Sequence, residues 1–210
     1  MKAFIYSGGE IYPENITEHP RAKDICIAAD LGYANARSLG DRVDVALGDF
    51  DSLAGGACSI PSDIEKMTVP AEKDETDTQL AVNVAIAKGA DEIVIVGGLS
   101  GRLDHTLSNL AILEALFDLG IHAVIVDGRN RARYIRSTST LIPRSGYKYL
   151  SLIAGDEKVK GVSVEGCTYP LKNKNLTKKY QYTVSNEIEE NCALVSVKRG
   201  GLFIIESRDA

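Results

Sequence analysis

The chain has no tryptophan, and its four cysteines are scattered without a C-x-x-C pair among 210 residues. This spacing argues against a zinc site and a dense disulfide framework, so reduced, buried thiols are expected. No apolar stretch approaches the length of a membrane span, and the first six residues are typical of a β-strand rather than a signal peptide. The sequence therefore indicates a globular, cytoplasmic protein with no membrane partner.

Basic residues are not in excess either. The 24 lysines and arginines are outnumbered by 29 aspartates and glutamates, which gives a net charge of -5 at pH 7. This balance argues against a general nucleic-acid-binding protein. The signatures G-x-G-x-x-G and G-x-x-x-x-G-K-[ST] are also missing, so neither a dinucleotide-binding fold nor a P-loop is predicted.

The first 128 residues alternate short apolar runs with polar or acidic loops. Strands are predicted at residues 2–6, 24–30, 43–47 and 92–96. Helices are predicted at residues 32–39, 76–88 and 106–119. Thr76 or Asp77 would cap the second helix, which has Leu80, Val84 and Ala87 on its apolar side. This alternation predicts an α/β fold with a mostly parallel sheet flanked by helices, whose ligand site lies at the carboxyl ends of the strands.

An acidic motif, Gly48-Asp-Phe-Asp-Ser52, directly follows the third predicted strand. On extended backbone the carboxylates of Asp49 and Asp51 would point the same way and Phe50 would turn inward, so one cation could contact both acids. The alternative interpretation of this motif is an acidic turn in which Ser52 caps a helix.

Further acids lie at or near other predicted strand and helix ends, namely Asp30, Asp74, Asp77 and Asp104. Stabilisation of a helix start is an alternative explanation for Asp74 and Asp77. Crowded carboxylates raise one another's pKa values unless a cation neutralises them. Magnesium is the natural cation, because it takes one or two carboxylates and completes its shell with phosphate oxygens and water. Such a site favours attack on phosphorus.

A strand, a glycine-rich loop and a helix start follow one another between residues 92 and 106. Amide donors and the helix dipole favour anions there, and Arg102 could add a fork of donors to a phosphate. Lys73 either is solvated or contacts a phosphate. Three interpretations of His105 are open: a catalytic acid or base, a helix cap, or a residue packed against its neighbours.

After residue 128 helical periodicity disappears and short β-rich runs take over, so a domain boundary is predicted there. The basic stretch at residues 172–179 is expected to be a solvated hairpin or loop. Tyr169, Tyr180 and Tyr182 either line an aromatic pocket or lie on half-exposed strands.

Five motifs follow one another along the chain, namely Ala29-Asp-Leu-Gly-Tyr-Ala-Asn35, Leu47-Gly-Asp-Phe-Asp-Ser52, Lys73-Asp-Glu-Thr-Asp77, Gly97-Gly-Leu-Ser-Gly-Arg-Leu-Asp-His105 and Thr183-Val-Ser-Asn186. In this order they resemble the thiamin pyrophosphokinase family. The resemblance implies an enzyme that transfers a pyrophosphoryl group from ATP to the hydroxyl of thiamin and releases AMP. It also implies a homodimer in which an α/β domain, residues 1–128, binds ATP and Mg²⁺. A C-terminal all-β sandwich, residues 129–210, would bind thiamin and form the dimer.

The same resemblance implies a role for individual residues. The acidic catalytic centre would be Asp30, Asp49, Asp51 and Asp77, of which Asp30, Asp49 and Asp51 would hold magnesium. ATP would be bound by Asn35, Lys73, Asp74, Arg102 and Asp104, and thiamin by Tyr169, Ser185 and Asn186. Many family members carry a tryptophan near the thiamin segment. If Tyr169 replaces it here, stacking on the thiazolium should be weaker, because tryptophan is the better cation-binding ring.

Two other functions remain open from the sequence. A metal-dependent phosphohydrolase acting on nucleotides would turn over without an acceptor. A thiamin- or nucleotide-binding regulator would use the same pockets without turnover, although a binder has little need for crowded negative charge.

Overall fold

The computed structural model describes residues 1–50, 60–69 and 74–209. The chain divides into two compact units, Met1–Gly128 and Arg129–Ala210. Asp51, Ser52 and Lys73 lie outside the described residues, so the expectations for these three residues stay predictions.

The predicted parallel sheet of the first unit is confirmed, and six of its strands lie within the described residues. Its strands are β1 (Lys2–Tyr6), β2 (Ile25–Ala29), β3 (Val45–Gly48), β4 (Glu65–Thr68), β5 (Glu92–Val96) and β6 (His122–Val126). They lie in the order β4-β3-β2-β1-β5-β6, and each neighbouring pair runs parallel. The chain builds outward from β1 through β4 and then returns to the other side of β1 with β5. Open α/β sheets bind ligands outside the carboxyl ends of the strands at such a switch point.

Three helices accompany this sheet, α1 (Gly32–Ser38), α2 (Asp77–Ala87) and α3 (Leu103–Asp118), together with a short 3-10 turn at Pro13–Asn15. The Thr76 side chain accepts a hydrogen bond from the Gln79 amide at 3.2 Å, so Thr76, one of the two predicted candidates, is the cap of α2. No helix within the described ranges is long and apolar enough to cross a membrane.

The buried side of α2 differs from the prediction. Leu80, Val84 and Ala87 were predicted to form one apolar side, whereas the buried residues lie on another side and are Thr78, Ala81, Val82 and Ala85. The helix packs on β1 and β2 through small side chains, which allow its backbone to approach the sheet closely. Hydrophobicity alone therefore selected the wrong side of the helix.

Two of the three cysteines in the described part of the chain, Cys26 and Cys167, are buried, and all three are free thiols. Burial raises the pKa of Cys26 to about 12 and that of Cys167 to about 11. Both thiols are therefore protonated and unreactive near neutral pH.

The second unit is all-β and sandwich-like, as the resemblance implied. Its strands are β7 (Asn130–Arg136), β8 (Ser139–Pro143), β9 (Tyr149–Ala154), β10 (Lys158–Glu165), β11 (Leu171–Thr177), β12 (Cys192–Ser196) and β13 (Gly201–Ser207). Strand β13 pairs antiparallel with β7 on one side and β9 on the other. The other antiparallel sheet has the order β11-β10-β12-β8.

Two strands of this second sheet were not predicted. The basic stretch expected to be a hairpin or loop is mostly strand β11, and β8 was missed altogether. Both are edge strands of their sheet, and each buries a single residue, Leu176 in β11 and Ile142 in β8. With a single buried residue, each strand lacks the apolar alternation by which a half-buried strand is recognised. The exposed lysines of β11 oppose pairing of this edge with other chains.

The core of the first unit gives a prediction about stability. Leu116 on α3 is 1% exposed, whereas Leu119, just after the helix, is 66% exposed. Leu116→Ala should lower the free energy of unfolding by about 2 to 5 kcal/mol, because it removes buried apolar contacts and leaves a cavity. Leu119→Ala should change it by no more than about 0.5 kcal/mol. Urea denaturation measures both, and equal losses would contradict the described packing of α3.

Candidate active site

A cavity of about 550 Å³ lies at the carboxyl edge of the parallel sheet. We call it the rim cavity. It is lined by the turns after β1 and β2, the segment that starts α2, and the glycine-rich loop that leads from β5 into α3. Its volume falls within the range of about 300 to 1,000 Å³ that is common for small-molecule sites. The cavity is therefore where the strand order predicts a ligand.

Only part of the predicted site lines this cavity. Asp30, Asp77 and Arg102 do so, and so does His105. The remaining described residues of the predicted ATP and metal site, Asn35, Asp49, Asp74 and Asp104, are not among its lining residues. Their assigned roles stay predictions.

Asp30 lies beside the end of strand β3. Its amide donates to the carbonyl of Leu47 at 2.8 Å, and a Cβ built on Gly48 would lie 3.3 Å from the Asp30 Cα. Asp30 has a φ of +47°, a left-handed conformation that costs a non-glycine residue free energy. The end of β2 thus holds this carboxyl residue in a constrained place next to Gly48, which Asp49 follows.

Phe50 is turned inward, as predicted, but for a different reason. Its ring is 1% exposed and packs with Ala46 and Ile60. Its φ is +60°, which is left-handed rather than extended. The backbone at Phe50 is therefore not extended. The expectation that Asp49 and Asp51 point the same way involves Asp51, which lies outside the described residues, so it stays a prediction.

Asn35 on α1 braces the turn that follows β1. Its side-chain Nδ2 donates to the carbonyl of Ser7 at 2.6 Å and to that of Gly9 at 2.7 Å, which uses both amide hydrogens. A Cβ built on Gly97 would lie 3.0 Å from the same nitrogen. The amide group of Asn35 therefore lies where the β1 turn meets the glycine-rich loop.

Two further side chains fix the glycine-rich loop. The buried Asn109 Nδ2 donates to the carbonyl of Gly98 at 2.9 Å, and the Ser100 hydroxyl donates to the carbonyl of Glu10 at 2.9 Å. Asn109 lines the rim cavity and was not predicted from the sequence. A signal existed, because Asn109 shares helical spacing with the buried residues Ile112, Leu113 and Leu116.

Thr78, Glu75 and Ser7 also line the rim cavity without having been predicted as site residues. Thr78 shows the same signal as Asn109, since it shares the buried side of α2 with alanines and a valine. A polar residue at an apolar helical position thus indicates a site residue on both helices. Glu75 and Ser7 carry no comparable signal.

Arg102 and Asp104 form an exposed pair at the start of α3. The guanidinium donates from Nε to Oδ1 at 3.2 Å and from the second terminal nitrogen to Oδ2 at 2.6 Å. These bonds lower the pKa of Asp104 and raise that of Arg102. Since exposed ion pairs contribute little stability, a phosphate in the cavity can compete with Asp104 for the guanidinium of Arg102.

The carboxylates of the rim cavity bear on metal binding. In residues 1–50, 60–69 and 74–209, no group of three or more histidines, cysteines, aspartates or glutamates is placed to hold a metal ion. Asp30 and Asp77 nevertheless bring two carboxylates to one cavity. That donor set fits magnesium, which takes one or two protein carboxylates and completes its shell with phosphate and water.

The second unit contains a smaller, apolar pocket of about 80 Å³. We call it the tyrosine pocket. Buried Leu150, Leu152 and Val164 line it together with the more exposed Tyr169 and Tyr182. Tyr169 is 68% exposed, so its ring is available to a ligand.

Asn186 lines the tyrosine pocket, but its amide serves mainly to hold Tyr169. Its Oδ1 accepts from the amides of Tyr169 and Glu187, both at 3.0 Å, and its Nδ2 donates to the carbonyl of Tyr169 at 2.8 Å. Ser185 has a φ of +58°, and its amide donates to the Ser151 hydroxyl at 3.0 Å. Of the predicted thiamin residues, the pocket therefore includes Tyr169 and Asn186 but not Ser185.

The fold and its cavities define a two-unit protein, with a ligand cavity on a parallel α/β unit and an apolar pocket on an all-β unit. Residues 18–125 match the model of the thiamin pyrophosphokinase catalytic domain. Residues 138–202 match the model of the thiamin pyrophosphokinase vitamin B1 binding domain. The chain belongs to the thiamin pyrophosphokinase family. The prediction that it is an enzyme transferring a diphosphate group is confirmed.

Individual relatives agree with this family. A thiamine pyrophosphokinase of Bacillus subtilis (strain 168) is 30% identical over 215 aligned positions, which cover 98% of each chain. Solved structures of the thiamin pyrophosphokinases from B. subtilis and Geobacillus thermodenitrificans are 27% identical, with TM-scores of 0.87, covering 100% of this chain and 100% and 99% of theirs. The Candida albicans enzyme has a TM-score of 0.78 at 13% identity, covering 98% of this chain and 88% of that one, and shares the fold.

The brace formed by Asn35 gives a second prediction. Asn35→Asp keeps the side-chain shape but replaces the donating nitrogen with an oxygen that faces two carbonyl oxygens. The free energy of unfolding should fall by about 1 to 3 kcal/mol, because both hydrogen bonds are lost and acceptors face each other. Urea denaturation measures the change.

Asn175→Asp is the matched control. Asn175 uses its Oδ1 to accept from the Gly161 amide at 3.3 Å, a role that aspartate retains. This exposed substitution should alter stability by less than about 0.5 kcal/mol. If both variants lost the same stability, Asn35 would not act as a donor to the β1 turn.

Proposed function

We propose that the chain is a thiamin pyrophosphokinase that transfers the pyrophosphoryl group of ATP to the hydroxyl of thiamin, giving thiamin diphosphate and AMP. The observation that carries this proposal is the rim cavity at the switch point. Asp30, Asp77 and Arg102 line this cavity, in the unit that matches the catalytic-domain model. Carboxylates for a magnesium ion and a guanidinium for phosphate oxygens are the groups that phosphoryl transfer requires.

In this reaction the hydroxyl oxygen of thiamin forms a bond to the β-phosphorus of ATP. The bond between that phosphorus and the oxygen bridging to the α-phosphorus breaks, and AMP leaves with the bonding electrons. The hydroxyl proton passes to a carboxylate or to water. Charge spreads over the phosphoryl oxygens, so catalysis depends on holding the two substrates in line and on neutralising that charge.

Each proposed residue has a part in this scheme. Magnesium, when bound, neutralises phosphate charge, and we assign Asp30, Asp49 and Asp51 as its protein ligands, with Asp77 orienting the phosphates. The guanidinium of Arg102 exchanges its hydrogen bonds to Asp104 for hydrogen bonds to the triphosphate. The remaining ATP-binding assignments are Asn35, Lys73, Asp74 and Asp104, of which Asn35 acts by bracing the β1 turn.

Thiamin is assigned to the second unit, residues 129–210. The Tyr169 ring would stack on the thiazolium cation, with Ser185 and Asn186 in the adjoining segment. The hydrogen bonds of Asn186 support this assignment, because they fix the backbone of Tyr169, whose ring is exposed. A residue that is already fixed loses less conformational freedom when it binds a ligand.

The proposal includes a cytoplasmic homodimer formed through the second unit. Several large apolar side chains of this unit are exposed, with Tyr169 at 68%, Tyr180 at 71% and Val184 at 51%. Exposed apolar groups that lie close along the chain favour an interaction surface. Sedimentation of the full chain measures its oligomeric state.

The activity itself is the third prediction. Incubation with thiamin, ATP and magnesium should yield thiamin diphosphate and AMP in equal amounts, as measured by chromatography of both products. Omitting thiamin or adding EDTA should abolish AMP formation. Release of ADP or phosphate without thiamin would favour the phosphohydrolase, and binding without turnover would favour the regulator.

Asp30→Asn tests the acidic centre within the same assay. It should lower kcat by about 10²- to 10³-fold, the scale expected when one charge-stabilising group is removed. Asp63→Asn, at an exposed carboxylate before β4, should leave kcat unchanged. Equal activity of the two variants would remove Asp30 from the mechanism.

The aromatic contact with thiamin gives the fourth prediction. Tyr169→Trp should lower the KM for thiamin and Tyr169→Ala should raise it, each by about two- to fivefold, because an exposed cation–π contact contributes about 0.5 to 1 kcal/mol. The KM for ATP should not change. Leu141→Ala, at a side chain on β8 that is 59% exposed and lies outside the lining of the tyrosine pocket, is the control. If the KM for thiamin were the same in the parent and in both Tyr169 variants, thiamin would not contact Tyr169.

A further inference from the structure

Several side chains of the rim cavity are committed to bonds within the protein. The Ser100 hydroxyl donates to the Glu10 carbonyl, and one Asn109 amide hydrogen goes to the Gly98 carbonyl. Arg102 directs its fork at Asp104, and the Thr76 hydroxyl accepts from the Gln79 amide. These groups hold the walls of the cavity.

Ser7 and Thr78 differ, because two buried hydroxyls bond to each other rather than to the backbone. Their hydroxyl oxygens are 2.9 Å apart, and the two residues are 5% and 9% exposed. The pair carries two hydroxyl hydrogens, and their mutual hydrogen bond uses one. Within residues 1–50, 60–69 and 74–209, the second hydrogen has no acceptor. A buried donor without an acceptor is unfavourable, so the pair can donate to a hydrogen-bond acceptor on a ligand.

The position of this hydroxyl pair is fixed from several sides. The Ser7 amide donates to the Val96 carbonyl at 2.8 Å, while the Ser7 carbonyl accepts from Asn35 at 2.6 Å. Thr78 lies in the first turn of α2. Both residues line the rim cavity where β1 and β5 meet. A donor held in this way loses little freedom when it binds a ligand.

We propose that the Ser7–Thr78 pair donates its spare hydrogen to a phosphate oxygen of the bound nucleotide. This contact rests on the proposed function, since it assigns a subsite for that nucleotide. Phosphate oxygens accept strong hydrogen bonds, and Gly8 and Gly9 beside Ser7 carry no side chains to keep a phosphate away from the turn. A neutral hydroxyl also binds an anion without adding charge to a cavity that already holds Asp30, Asp77 and Arg102.

The test uses α,β-methylene-ATP, which cannot undergo the proposed transfer. Its Kd is measured by isothermal titration calorimetry with magnesium and without thiamin, for the parent and for Ser7→Ala/Thr78→Val. Removing both hydroxyls should weaken binding by about ten- to a hundredfold, the effect of losing one hydrogen bond to a charged group. Either single variant keeps one hydroxyl for the ligand and should lose less.

Two controls separate a phosphate contact from a structural tie. Adenosine has no phosphate, so its affinity should be equal in the parent and the double variant. Ser145→Ala removes a hydroxyl that donates to Glu206 at 2.9 Å in the second unit, and it should leave nucleotide affinity unchanged. An unchanged Kd for α,β-methylene-ATP in the folded double variant, or an equal loss for adenosine, would overturn the proposal.

If the double variant does not fold, a crystal structure of the parent with α,β-methylene-ATP decides the question. One of the two hydroxyl oxygens should lie about 2.7 Å from a phosphate oxygen, and a separation beyond about 3.5 Å would refute the contact. Failure of the proposed function has a different result, because parent protein that binds the nucleotide but makes no thiamin diphosphate would leave this contact measurable.

Discussion

The contact between two glycine turns at the switch point is the constraint on which the first unit depends. A Cβ built on Gly9 would lie 2.0 Å from the Gly97 carbonyl oxygen, so no other residue fits at this position without movement. Gly97 has a φ of +84°, which favours glycine as well. Because β1 and β5 are adjacent, their two turns must cross this narrow space. The shape of the rim cavity follows from that approach.

Backbone groups brought this close need hydrogen-bonding partners, and helices supply them. Asn35 on α1 donates to the β1 turn, and Asn109 on α3 donates to the glycine-rich loop. Thr78 on α2 bonds to the Ser7 hydroxyl. Each of the three described helices thus contributes polar side chains to the same edge. The cavity walls are positioned before any ligand arrives, which lowers the entropic cost of binding.

The sequence was sufficient for the parts of the structure that local chemistry determines. The apolar strands β1 and β5, the Thr76 cap and the change to β-structure after residue 128 are all local signals. What it missed depends on packing. The buried side of α2 is selected by close approach to the sheet, and the polar edge strand β11 by pairing with β10. The roles of Asn35 and Asn186 needed coordinates, since a motif does not show whether an amide contacts a ligand or the backbone.

Those two asparagines solve the same physical problem in different units. A side-chain amide carries a donor and an acceptor, as a peptide group does, so it can pair with backbone where no strand continues. Asn186 uses both functions on Tyr169, while Asn35 uses its two hydrogens on Ser7 and Gly9. In each case the residue held in place is one that we expect to touch substrate. Substitution of either asparagine should therefore impair binding through the geometry of the neighbour that it holds.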